Sequence, residues 1–293
     1  MAEPWTARNI PDQSGRTVVV TGANSGLGLS TSRELAKAGA RVILAVRRVD
    51  QGEAAAAQMA GHTEVRQLDL ADLDSVQRFT DDLTGQIDVV IANAGIMAVP
   101  FARTAQGFES QFGVNVLGHF ALVARLLPRV TDRVVWLSSE AHRIGKISLD
   151  DPNWERRRYR RWGAYGQSKL ADLMVAYELQ RRLTDAGSAV KSEAAHPGYA
   201  STNLQSHTES FQDRVMGVAN RVVGQSADMG ALPTLYAATV TDLPGGWFIG
   251  PNGPGGIGGY PVPATSSRRS RDVVTAGGLW ELCERLTGVT AAV

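Results

Sequence analysis

The chain has 293 residues, 43% of them hydrophobic and 20% charged, with a formal net charge of +1. That balance suits one large domain with a substantial core and excludes a dedicated nucleic-acid or membrane-surface binder. A single cysteine, Cys283, excludes an internal disulfide framework and a cysteine-built metal site, and the five histidines show no ligand spacing, so no metal is expected.

The opening MAEPWTARNIPDQSG has no basic region followed by an apolar run, and no stretch of 18 apolar residues occurs, so neither a signal peptide nor a membrane span is expected. Arginine outnumbers lysine 26 to 4, which reads as a GC-rich bacterial genome. The expected location is the cytoplasm.

TVVV (Thr17 to Val20) is a short β-branched strand, and TGANSGLG (Thr21 to Gly28) follows it as a glycine-rich turn into a helical pattern ending at Gly39. Strand, glycine turn and helix together make a phosphate site, because glycines admit close backbone approach and a helix N-terminus offers unpaired N–H groups. The bland reading is a tight turn that only lets helix and strand pack. The spacing, Gly22-x-x-x-Gly26-x-Gly28, also departs from the common dinucleotide fingerprint.

Strand and helix patterns then alternate. Strands are expected at Arg41 to Val46, Glu64 to Leu70, Ile87 to Gly95, Asp132 to Ser139, 190–198 and 246–250. Helices are expected at Gln51 to Ala60, Leu73 to Leu83, Gln106 to Leu127, Trp162 to Leu183 and Ala227 to Thr239. Apolar strands separated by helices predict a doubly wound parallel α/β sheet of about seven strands, with helices on both faces and ligands at the strands' carboxyl ends. Gly22 to Gly28, Arg47, Asp69, Asn93 and Ser139 all fall at such ends. One domain over 15–293 is expected after an arm at 1–14. It includes a flap at 202–225 and a C-terminal extension at 250–293. The loop GPNGPGGIGG (Gly250 to Gly259) precedes no helix and is given no nucleotide role.

The glycine loop, Asn93-Ala94-Gly95, Ser139, Tyr165-x-x-x-Lys169 and Pro197-Gly198 stand in this order, and with them the chain resembles the short-chain dehydrogenase/reductase family from about Thr17 to Ile249. T-G-x-x-x-G-x-G is that family's cofactor loop, which accounts for the odd spacing. The long segment before Tyr165 and the wording YGQSKLAD resemble its branch of retinol dehydrogenases and protochlorophyllide reductases.

The resemblance implies a Rossmann-type fold with Tyr165 as general acid/base. An isolated phenol ionises at about pH 10, and a cation one helical turn away, Lys169, favours the phenolate. Ser139 is expected to orient the substrate oxygen, with Ser138 its rival. Asn115 is expected to hold a water in a proton relay to Lys169, with a surface asparagine as the alternative. Asn24, Ser25 and Leu27 join Gly22, Gly26 and Gly28 at the cofactor. Asp69 and Leu70 are placed at the adenine, Asn93, Ala94 and Gly95 at the adenosine ribose, and Pro197, Gly198 and Thr202 at the nicotinamide and its phosphate; Lys169 also bonds the nicotinamide ribose. Asp69 is alternatively a helix cap.

NAD sites place a carboxylate at the end of the second strand; here Val46 stands there, followed by Arg47 and Arg48, which predicts NADP(H). The expected reaction is hydride transfer between nicotinamide and a bulky, partly apolar ketone, aldehyde or secondary alcohol. The alternatives are a non-catalytic NADP(H)-binding regulator and a C=C reductase. The resemblance also implies a homodimer or homotetramer paired through the Tyr165 helix, with the C-terminal extension as an obstacle. The arginine run Glu155 to Trp162 is read as a solvated approach to a helix, or else a rim that recruits anionic substrates.

Overall fold

A computed structural model describes residues 3–199 and 226–293; the expected flap at 202–225, and Thr202 with it, lie outside the described residues. Strand β1 (Thr17–Thr21) runs through the glycine turn into helix α1 (Gly26–Lys37), and β2 (Arg41–Val46), α2 (Val49–Ala56), β3 (His62–Gln67), α3 (Leu73–Asp82) and β4 (Ile87–Ala92) follow. After β4 come α4, a continuous helix over 110–126, then β5 (Val130–Leu137), α5 (Arg161–Asp185) and β6 (Lys191–Ala195). Helix α6 (Ala227–Thr239), β7 (Phe248–Pro251), β8 (Pro261–Pro263) and α7 (Val273–Thr287) complete the chain.

The sheet order is β3-β2-β1-β4-β5-β6-β7-β8, parallel through β7 and antiparallel at β8. This is the expected doubly wound sheet, with eight strands instead of seven. The extra one is a three-residue edge strand flanked by Pro261 and Pro263, residues that cannot donate to a ladder and so are tolerated only at an edge. The order reverses between β1 and β4, and that switch point opens the crevice in which such sheets hold ligands.

Side chains alternate across each strand. Val18, Val20, Val42, Leu44 and Ile91 enter the core under α1 and α6, whereas Val19, Ile43, Val90 and Trp136 enter the one under α4, α5 and α7. Helix α7 lies on the flank of α5, where Trp280 meets the Phe120 ring edge-on at 4.9 Å and the Arg182 guanidinium lies 4.7 Å from the Trp280 ring. Asp272 caps α7 by accepting from Val274 N and Thr275 N.

One strand carries an electrostatic cost. Glu193 on β6 is fully buried with neither carboxylate oxygen hydrogen-bonded among the described residues, and Arg133 stands 3.7 Å away. Burial pushes its carboxyl up to about 8. The folded protein therefore holds this proton over a range in which the unfolded chain has released it, so this group's contribution to stability falls as pH rises from about 4.5 to about 8. Glu193→Gln is expected to raise Tm by a few degrees at pH 8 and to leave it unchanged at acid pH, read by thermal melts.

Candidate active site

The β1–β4 switch point opens into a cleft of about 1140 Å³. Its floor is the glycine turn. Gly22 and Gly26 have φ of +65° and +54°, and a Cβ on Gly28 would lie 2.3 Å from Gly22 O and 2.6 Å from Asn93 Nδ2. Only glycine fits there. Ser25 stands at the N-cap of α1 without a side-chain cap bond, so the helix's first N–H groups face the cleft uncapped. Asn24 donates to Gln51 Oε1 at 3.1 Å, and Leu27 is buried beneath the turn.

Thr21 joins this floor to the loop after β4. Its Oγ1 accepts from Asn93 N and Ala94 N, each at 2.9 Å, and lies 2.8 Å from His119 Nε2. Asn93 Nδ2 donates to Thr21 O at 2.7 Å, while Asn93 Oδ1 is buried without a partner among the described residues.

The middle turn of α4, Gly113–Gly118, is a π turn, and Asn115 sits in it. The His119 amide bonds back to Val116 O, which leaves the Asn115 carbonyl to the His119 ring; Nδ1 reaches it at 2.8 Å. His119 is therefore a neutral tautomer with Nδ1–H donating and Nε2 accepting from Thr21. Burial pushes its imidazole down to about 4, and the Lys169 charge acts in the same direction. The Asn115 side chain accepts from Ile96 N at 2.9 Å and donates to Ile96 O at 3.0 Å and Ser168 Oγ at 2.9 Å. Both amide protons are thus engaged within the protein, on Ile96 O and Ser168 Oγ, and the side chain fastens the cleft wall.

Helix α5 brings Tyr165 and Lys169 to the same wall. Lys169 Nζ lies 6.0 Å from the Tyr165 ring centroid and donates to Leu137 O and Asp172 Oδ2, each at 2.8 Å. A Cβ on Gly95 would stand 3.6 Å from Nζ and 3.3 Å from Asn115 Oδ1. Ser138 is buried and donates to Lys169 O at 2.7 Å, whereas half-buried Ser139 opens the turn after β5 and accepts from Ala141 N at 3.2 Å. His142 Nδ1 meets Ser139 O at 2.7 Å and holds that turn in place.

The other expected residues line the same cleft. Arg47 is exposed at the end of β2 and makes no ion pair among the described residues, whereas Arg48 pairs with Asp50 at 2.8 Å. One Asp69 oxygen accepts from Ala71 N at 2.9 Å, so it braces its own turn, while Asp72 caps α3; Leu70 is buried beside it. Gly198 has a φ of +68°, and Tyr199 N donates to Ile257 O at 2.7 Å, which brings Gly255, Gly256 and Ile257 into the cleft wall. The loop from Gly250 to Gly259, given no nucleotide role on sequence grounds, thus contributes these three residues to the cleft wall.

Sequence reasoning assigned no role to this wall or to Thr21, His119 and Asp172, although Thr21 opens the glycine motif, Asp172 ends YGQSKLAD and His119 stands at i+4 from Asn115. Two of the five arginines in the run fasten the segment, while Arg158 and Arg160 are exposed. Arg157 lies 3.9 Å from the Trp154 ring and pairs with Asp151 at 3.0 Å, and Arg156 pairs with Asp150 at 2.9 Å. No group of three metal-ligating side chains and no helix long and apolar enough to cross a membrane occurs among the described residues.

Fold and cleft together define a dinucleotide-dependent oxidoreductase, and the short chain dehydrogenase family model matches residues 16–213; the chain belongs to that family. Within it the chain sits in the retinol dehydrogenase-like branch, whose members act on CH–OH and C=O groups. Human retinol dehydrogenase 13 is 39% identical over 296 residues, 94% of this chain and 86% of that protein. A crystal structure of an uncharacterized protein from Mycobacterium paratuberculosis is 54% identical with a TM-score of 0.87, covering 99% of this chain and all of the other. A structure described as an NAD(P)-dependent gluconate 5-dehydrogenase from Beutenbergia cavernae, with bound NADP, is 25% identical with a TM-score of 0.58, over 77% of this chain and 90% of that one.

Proposed function

We propose that the chain is an NADP(H)-dependent reductase or dehydrogenase of a bulky, partly apolar ketone, aldehyde or secondary alcohol. The observation that carries this reading is one cleft holding Tyr165, Lys169 and Ser139 at one end and, at the other, Arg47 with no ion pair among the described residues. The residues present fit a dinucleotide. The glycine turn leaves backbone space that a Cβ would fill, Ser25 makes no side-chain cap bond at the α1 N-terminus, and Asn93 Oδ1 is buried without a partner among the described residues.

The nicotinamide, when bound, supplies or accepts the hydride. Gly22 to Gly28 with Asn24, Ser25 and Leu27 would hold the pyrophosphate, and Arg47 the 2′-phosphate. Asp69 and Leu70 would face the adenine, Asn93, Ala94 and Gly95 the adenosine ribose, and Pro197, Gly198 and Thr202 the nicotinamide side. Lys169 spends two N–H groups on Leu137 O and Asp172, which leaves one for the nicotinamide ribose. Ser139 Oγ orients the substrate oxygen while the Tyr165 phenol gives it a proton in reduction and the Tyr165 phenolate takes one in oxidation. Ser138 is committed to Lys169 O, which supports Ser139 in this role. Asn115 acts by position, fixing the Ile96 backbone beside Lys169.

Ile96, Met97, Val99, Val114, Trp162 and Ile257 make the cleft partly apolar, which suits a bulky substrate. We take one domain over 15–293 as the unit that carries it, with α7 on the α5 flank through which subunit pairing was expected. The test is NADPH oxidation followed across a panel of carbonyl compounds, with turnover of bulky ketones or aldehydes expected. Activity confined to small polar sugars contradicts the substrate class. Tight NADPH binding with no turnover at all favours the non-catalytic regulator.

A further inference from the structure

Asp172 lies one turn beyond Lys169 on α5 and is 2% exposed. Its Oδ2 accepts from Lys169 Nζ at 2.8 Å, and its Oδ1 is buried without a hydrogen-bond partner among the described residues. An i,i+3 lysine–aspartate pair on a helix surface contributes little to stability. This pair is enclosed. From Ala164 to Ala176 every residue of α5 is buried, and α7 packs on the helix with Cys283 held among the buried residues beside Asp172.

A buried ammonium without a partner gives up its proton easily, because desolvation opposes the charged form. Burial pulls the Lys169 ammonium down; Asp172 and Tyr165 beside it more than restore it, so it stands above the ordinary lysine value. Burial in turn pushes the Asp172 carboxyl up to about 6, with Lys169 pulling against it. The other ionisable groups coupled to the pair are few. They are Tyr165 on the same helix, His119 from α4, held neutral, and the Cys283 thiol from α7, pushed up by burial and by Asp172. Strand β5 contributes only the neutral Leu137 carbonyl. Asp172 is thus the one carboxylate hydrogen-bonded to Lys169 among the described residues.

We propose that Asp172 is a positioning residue that keeps the Lys169 side chain aimed along the cleft wall and positively charged inside the protein. This rests on the reading of Tyr165 and Lys169 given above. Asp172 reaches the reaction only through Lys169. With the Asp172 carboxyl hydrogen-bonded to Nζ, Lys169 can stay charged beside Tyr165 up to alkaline pH.

Asp172→Asn keeps the shape of the side chain and removes its charge. In the wild type, kcat/KM for alcohol oxidation is expected to rise with pH and hold its upper plateau. In Asp172→Asn a new alkaline limb is expected within the measured range, beyond which activity falls about tenfold per pH unit; Asp172→Glu restores the plateau. A purely structural role would lower activity equally at every pH, and a profile of wild-type shape overturns the proposal.

A second comparison requires neither turnover nor a folded Asp172→Asn single variant. Lys169→Met leaves a buried carboxylate uncompensated, so Lys169→Met/Asp172→Asn is expected to melt well above Lys169→Met alone. Equal melting temperatures overturn the pairing. If Tyr165→Phe retains full turnover, the reading of the site fails, while the melting comparison still reports on the pair.

Discussion

Tyr165→Phe is expected to lower kcat/KM for carbonyl reduction by about 10²–10⁴-fold, the range ascribed to a single positioned acid or base. NADPH affinity should barely move. The substitution removes one oxygen from a ring that stays packed: Tyr165 is 7% exposed and Trp162 meets it edge-on at 6.0 Å. Because the ring position is retained, the loss belongs to proton transfer and not to folding. Fluorescence titration of NADPH beside steady-state kinetics separates the two. A Phe variant within threefold of wild type in kcat/KM would falsify the assignment of Tyr165, since the proton would then come from another group.

The second large effect concerns the cofactor. Arg47 lines the cleft at the end of β2 and is committed to no carboxylate among the described residues, whereas Arg48 beside it is paired with Asp50. A hydrogen bond to a charged group is worth about 1.5–3 kcal/mol, which is about 10–100-fold in an equilibrium constant. Wild type should prefer NADPH, and Arg47→Ala should lose about that factor in kcat/KM with NADPH while changing little with NADH. Measuring all four efficiencies decides the matter. A wild type that prefers NADH, or an Arg47→Ala variant that loses equally with both cofactors, overturns the assignment.

What could be read from the sequence was what is local. The glycine turn, its strand and its helix lie within about twenty residues, and Tyr165 and Lys169 are one helical turn apart. The continuous apolar runs of β1, β2 and β4 likewise announced a sheet covered on both faces. What escaped depends on distance along the chain or on burial. Thr21 and His119 are 98 positions apart and meet only once α4 is packed under β1. Asp172 lay inside the recognised motif, yet a lysine–aspartate pair looks like surface decoration until α5 is seen to be enclosed all round. Strand β8 was obscured by its two prolines, and the Gly255–Ile257 wall by the absence of a following helix; its place is set by Gly198 and Tyr199, more than fifty residues earlier.

Helix α7 also bears on how this protein comes off the ribosome. Domains generally fold as units. Here β1 through β6 and the helix carrying Tyr165 are all translated before Val273–Thr287 exists to cover Phe120 and the flank of α5. A nascent chain at that stage has its reactive residues in place in sequence but an apolar flank open to water, and Asp172 and Lys169 are not yet sealed. The enclosure of Lys169 and Asp172 is therefore completed only by the last described helix, about 100 residues further along the chain.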